Sequence, residues 1–110
     1  ETIMAGLSCG EPSDMAREVL SEEARDFITI PDNIVPPTVR LLACPEGNDP
    51  VIKAGESAVA GLAVLVCASK QPGLREKLGL DKNSRVLLIG TEGVTDAKIF
   101  ARIMEGEMYG

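Results

Sequence analysis

Two short apolar runs, "DFITI" at residues 26–30 and "RVLLIG" at residues 85–90, stand at the two ends of a long helix-forming interval. Each is rich in aliphatic or aromatic side chains, and each is closed by a backbone punctuator, Pro31 after the first and Gly90 after the second. The pattern predicts strands over Asp26–Ile30 and Arg85–Ile89, the second apolar enough to be buried on both faces. Two strands joined through helices satisfy the crossover that a parallel pair requires. The expected fold class is therefore α/β: parallel-sheet layers with helices on both faces.

The intervening helices can be placed from periodicity and caps. In "PSDMAREVLSEEAR", Met15, Ala16, Val19, Leu20 and Ala24 share a stripe, with Ser13 as cap. Pro36 and Pro37 fit only the first turn of a helix, which then runs to Ala43. "CPEGNDP" reads as a loop. "GESAVAGLAVLVCASK" is apolar nearly all round and predicts a buried helix from Glu56 to Ser69. "QPGLREKLGL" predicts a short helix with Gly79 near its end, and Ile99, Phe100, Ile103 and Met104 stripe a last helix.

With 110 residues, a single domain spanning 1–110 is expected. Hydrophobic residues make up 45% and aromatic ones 3%, so the core must be aliphatic. The net charge of −6, with no basic cluster and little aromatic surface, argues against a nucleic-acid partner. No apolar run is long enough for a membrane span, so no membrane partner is expected. Cys9, Cys44 and Cys67 have no CxxC spacing and fit reduced thiols of a cytoplasmic protein. There is no histidine, which excludes Ser-His and Cys-His catalysis and leaves Asp, Glu, Lys, Cys or Tyr109 for any proton transfer. No acidic group has metal-ligand spacing, so no metal is expected.

In parallel sheets, ligands gather beyond the carboxyl ends of the strands, which here are Pro31–Asn33 and Gly90–Asp96. "GTEGVTD" at residues 90–96 offers backbone N–H groups and the Thr91 hydroxyl to an anion or a polar ring atom. It also reads as a plain strand-to-helix turn, with Gly90 and Gly93 for permissive backbone and Thr95 or Asp96 as cap. Glu56 in "AGES" is either a functional carboxylate at a site edge or a carboxylate favoured by a helix dipole, with Ser57 capping. "GLSCGEP" would let backbone approach a cofactor, or is an ordinary loop with an inert thiol, since nothing basic lies beside Cys9. None of the five lysines is an evident Schiff-base candidate, and Lys53, in a loop, is expected to be exposed.

In order, "TIMAGLSCGEPS", "DFITIPDNIVPPTVRLLA", "NDPVIKAGESAVAGLAVL" and "RVLLIGTEGVTD" resemble the C-terminal part of fold-type II pyridoxal-phosphate enzymes, and most of all the diaminopropionate ammonia-lyases. The resemblance spans almost the whole chain. It implies a piece of the large domain of a two-domain α/β enzyme, a reading that agrees with a first residue, Glu1, that is not methionine. It implies pyridoxal 5'-phosphate as cofactor and places the Schiff-base lysine and glycine-rich phosphate loop outside this chain, so no catalytic residue is assigned here. The family's hydroxyl facing the pyridine nitrogen falls on Gly90, which has none, and adjacent Thr91 would replace it. A neutral hydroxyl there suits β-elimination. By the same resemblance Glu56 matches a glutamate near the cofactor. Gly6 matches the glycine of a "T-x-A-D-G" loop in which Ala5 replaces the Asp.

The implied reaction is α,β-elimination of ammonia from 2,3-diaminopropionate, giving pyruvate and a second ammonia. A serine or threonine dehydratase or a threonine synthase relative is the alternative within the family. A non-catalytic α/β module for ligand sensing or association is the alternative outside it. Partners expected are a small amino-acid substrate and a second copy of the chain, because a helix apolar on most faces needs cover on all sides.

Overall fold

A computed structural model describes residues 2–106, and Tyr109 lies outside them. Five α-helices appear in order: α1 (Asp14–Glu23), α2 (Val35–Ala43), α3 (Ala60–Lys70), α4 (Pro72–Lys77) and α5 (Ala97–Met104). Short 3-10 turns at Ala5–Leu7 and Asp32–Ile34 complete the regular structure.

Among the described residues there is no strand, and the parallel-sheet α/β layering expected from the sequence is absent. Residues 26–30 and 85–89 have no regular structure and share no backbone hydrogen bond among the described residues. They instead line one hollow of about 420 Å³, Asp26 and Ile28 from the first run and Val86 and Leu88 from the second, together with Val64 and Leu65 of α3. Burial on both faces fails as well: Leu87 is 86% exposed, Ile89 79% and Phe27 77%. The physical reason is that apolar, β-prone sequence makes a strand only when a neighbour completes its ladder, and neither run has a backbone hydrogen-bond partner among the described residues.

The helices follow their local signals more closely. Ser13 caps α1 by accepting from the Ala16 N–H at 3.3 Å. The α1 stripe does not reach the core, and Met15, Val19 and Leu20 are exposed. α2 carries its prolines in the first turn, where no intrahelical N–H is lost. Its Val35 and Val39, one helical turn apart, are fully buried. Gly79, at φ +70°, follows α4 and takes the left-handed conformation that ends helices. Asp96 caps α5, its Oδ1 accepting from the Lys98 and Ile99 N–H groups at 3.0 Å each.

The core is small and aliphatic: Met4, Val35, Val39, Val59 and Ile103, with Ile3, Ile30, Leu42, Ile99 and Phe100 packed against it. It joins α2 to α5 and to the start of α3. Arg40 strengthens the first joint, its Nη1 donating to the Ile103 carbonyl at 2.8 Å near the C-terminal end of α5, where a cation is favoured.

The apolar helix begins later than expected, at Ala60 rather than Glu56, and residues 56–58 form a turn. The Ser57 N–H donates to Glu92 Oε1 at 3.3 Å, and Ser57 Oγ accepts from the Gly6 N–H at 2.9 Å. These polar groups are committed to other segments and do not serve a helix start. Ser57 is not a helix cap, since α3 has no side-chain cap and starts after Val59.

Candidate functional site

A cavity of about 620 Å³ lies where α3 begins. Its walls are the segments Leu88 to Gly93 and Ile52 to Ala54, with Ala58, Gly61 and Leu62 about the start of α3 and Leu42 of α2. Three bonds hold these walls in place. The Ile52 N–H donates to the Leu42 carbonyl at 2.8 Å, which folds the loop after α2 back on its helix. The Gly55 N–H donates to the Glu92 carbonyl at 3.1 Å, and Ser57 reaches the same residue's side chain. Glu92 thus receives backbone donors, from Gly55 and Ser57, on both its main-chain and its side-chain oxygens.

Two glycines make this close approach feasible. A Cβ on Gly55 would lie 2.3 Å from the Gly93 oxygen and 2.5 Å from Glu92 Oε1. A Cβ on Gly90 would lie 2.9 Å from the Ala58 oxygen. Gly90 therefore serves backbone packing, and a physical demand stands behind the missing hydroxyl at that position.

Of the four residues singled out for cofactor contact, Gly90 and Thr91 line the cavity, and Thr91 is exposed to it. Glu56 and Gly6 do not line it. Glu56 is buried in the adjoining turn, 7% exposed, with no hydrogen bond or ion pair among the described residues. Gly6 sits beside that turn, its N–H on Ser57 Oγ, and a Cβ there would lie 3.0 Å from both Ser57 Oγ and Glu92 Oε2. The three loops at 2–6, 54–58 and 90–93 therefore converge, though only the last supplies a hydroxyl to the cavity. Lys53 is exposed, as expected, and stands at the same wall.

Sequence reasoning passed over Glu92 and Ser57 as site builders. A glutamate between a threonine and a glycine gives no signal of its own, because what defines its role is a donor 35 residues away. A second polar joint was also missed. Asp32 accepts from the Thr2 hydroxyl and, at 2.8 Å, from the Ile3 N–H, and these bonds, the Thr2 bond foremost, hold its carboxyl below the usual carboxylate range against a smaller opposing effect of burial. No group of His, Cys, Asp and Glu side chains among the described residues is placed to hold a metal.

The walls suit the ring of a flat aromatic cofactor. Leu62, Leu88, Ile89 and Ala58 offer apolar surface, and Thr91 offers one neutral hydroxyl. No matching cradle for a phosphate lies among the cavity's residues, and the fit is to the ring alone.

No protein-family model matches the chain. Diaminopropionate ammonia-lyase of Escherichia coli K12 is 44% identical over 106 residues, 94% of this chain and 27% of that protein. The enzyme of the same name from Salmonella typhimurium is 35% identical over 107 residues, 94% of this chain and 26% of that protein. A crystal structure of the Escherichia coli enzyme, in complex with an aminoacrylate-PLP azomethine reaction intermediate, superimposes with a TM-score of 0.89 at 44% identity over 96% of this chain and 29% of that one. The resemblance read from the sequence is borne out over nearly the whole chain, which spans about a quarter of the length of the relatives it matches.

Proposed function

We propose that this chain forms part of a pyridoxal-phosphate-dependent ammonia-lyase that converts 2,3-diaminopropionate and water to pyruvate and two ammonia molecules. The observation that carries the proposal is the cavity at the Gly90–Gly93 turn, built from segments that match a lyase solved with its cofactor. In this reading Thr91 gives its hydroxyl to the pyridine nitrogen and Gly90 lets the turn approach the ring. Ala58, Leu62 and Leu88 exclude water from the ring face. When bound, the cofactor supplies an electron sink for the pair left at the substrate α-carbon after proton removal. A neutral hydroxyl at the ring nitrogen keeps that sink moderate, which favours loss of the β-amino group over chemistry needing a stronger one. The lysine that holds the cofactor, the proton-removing base and the phosphate loop belong, in this proposal, to a longer polypeptide of fold type II.

The further expectations rest on the same reading. Among the described residues no helix is long and apolar enough to cross a membrane, and Cys9, Cys44 and Cys67 are free thiols. In this reading the protein is cytoplasmic, without membrane or nucleic-acid partners, and the exposed Phe27, Leu87 and Ile89 support a homo-oligomer.

A chimera tests the assignment: this chain replaces the matching segment of the Escherichia coli enzyme. Pyruvate release from 2,3-diaminopropionate is the expected result. A folded, cofactor-loaded chimera that acts on serine or threonine but not on 2,3-diaminopropionate would move the assignment to the dehydratases. One with no turnover on any of these would remove it.

A further inference from the structure

We propose that Glu92 is a positioning residue that sets where Thr91 stands in the cavity, an inference that rests on the reading of Thr91 as the ring-nitrogen partner. Glu92 follows Thr91 directly and, among the described residues 90–93, is the one anchored through both main chain and side chain. Its carbonyl accepts from the Gly55 N–H at 3.1 Å and its Oε1 from the Ser57 N–H at 3.3 Å. Its Oε2 is packed against Gly6, within 3.0 Å of where a Cβ would stand, and Gly6 is itself bonded to Ser57 Oγ. The carboxylate therefore faces residues 55–57 and the Gly6 loop, where the Ser57 N–H donates to it. Thr91, which is exposed, makes no hydrogen bond of its own among the described residues. Two bonds on the next residue are what restrict the turn's rotation.

The test uses the 110-residue chain, with Glu92→Ala, Glu92→Gln and Gly55→Ala, observed by NMR. Glu92→Ala keeps the main-chain carbonyl that Gly55 donates to. A positioning role predicts that the Gly55 amide nevertheless exchanges about tenfold faster, along with Ser57, because the turn swings free. The Thr91 methyl order parameter should fall in the same variant. Glu92→Gln, which keeps an acceptor at Oε1, should restore most of both. Gly55→Ala should loosen Thr91 from the opposite side of the joint. Core amides of Val39 and Ile103 should exchange at unchanged rates. An equally rigid Thr91 in Glu92→Ala, or a core loosened by the same factor, would overturn the proposal. Titration of the chimera described above with pyridoxal phosphate, followed by visible absorbance, separates the two readings. Uptake weakened about tenfold in the Glu92→Ala chimera supports both. Unchanged uptake by the Glu92→Ala chimera, with Thr91 loosened in the same variant of the chain, leaves the positioning intact and sinks the assignment of Thr91 to the cofactor.

Discussion

A methyl group added at Gly55 would stand 2.3 Å from the Gly93 carbonyl oxygen and 2.5 Å from Glu92 Oε1. Both distances fall about 1 Å short of ordinary van der Waals contact. One neighbour is backbone, so the strain cannot be relieved by a side-chain rotation alone; the 90–93 turn must move off the 55–57 turn. That displacement stretches the Gly55 to Glu92 and Ser57 to Glu92 bonds, now 3.1 and 3.3 Å. Each such bond is worth about 1 kcal/mol net, and overpacking a tight site adds roughly 1–3 kcal/mol. Removing glycine from the unfolded chain returns about 0.4–1 kcal/mol. The net loss for Gly55→Ala is therefore about 2–4 kcal/mol, a large share of a typical 5–15 kcal/mol stability. Urea unfolding followed by circular dichroism should show the midpoint falling by roughly 1–2 M at constant slope. Gly73→Ala is the control, because a Cβ there meets nothing within 4 Å and the residue lies inside α4. It should be neutral or stabilising by up to about 1 kcal/mol. A Gly55→Ala variant as stable as Gly73→Ala would refute the argument that this glycine exists to let the two turns meet.

Ile103→Ala, at a fully buried position between α2 and α5, should destabilise by about 2–5 kcal/mol in the same denaturation assay. Asp96→Ala removes the cap of α5 and should lower stability by about 1 kcal/mol, with faster amide exchange at Lys98 and Ile99. The carboxyl of Asp32 titrates below its ordinary value in the folded chain, so its bonds to Thr2 and Ile3 contribute fully above that ordinary value and are lost as pH falls through the lowered one. Asp32→Asn should therefore flatten the fall in stability below about pH 4, and a profile parallel to the parent's would count against this joint. Light scattering should show the chain's average mass rising with concentration, as exposed Phe27, Leu87 and Ile89 find cover; a monomer throughout would contradict that.

Local chemistry was readable from the sequence wherever one segment decides its own conformation. Ser13 and Asp96 cap their helices, Pro36 and Pro37 sit in a first turn, and Gly79 follows α4, because each effect acts within a few residues of its source. The motif order that pointed to a lyase was also readable, since it depends on residue identity and spacing. The strands were not. "DFITI" and "RVLLIG" have the composition of strands, but a strand is a relation between two backbones, and tertiary structure leaves these two runs without one among the described residues. The start of the apolar helix moved to Ala60 for a similar reason, because Gly6 and Glu92, distant in the chain, take up the polar groups of Ser57. The cavity depends on the same contacts. Thr91 could be picked out as a hydroxyl at a turn, whereas the glutamate beside it gained a role only when folding brought the Gly55 and Ser57 amides within hydrogen-bonding distance.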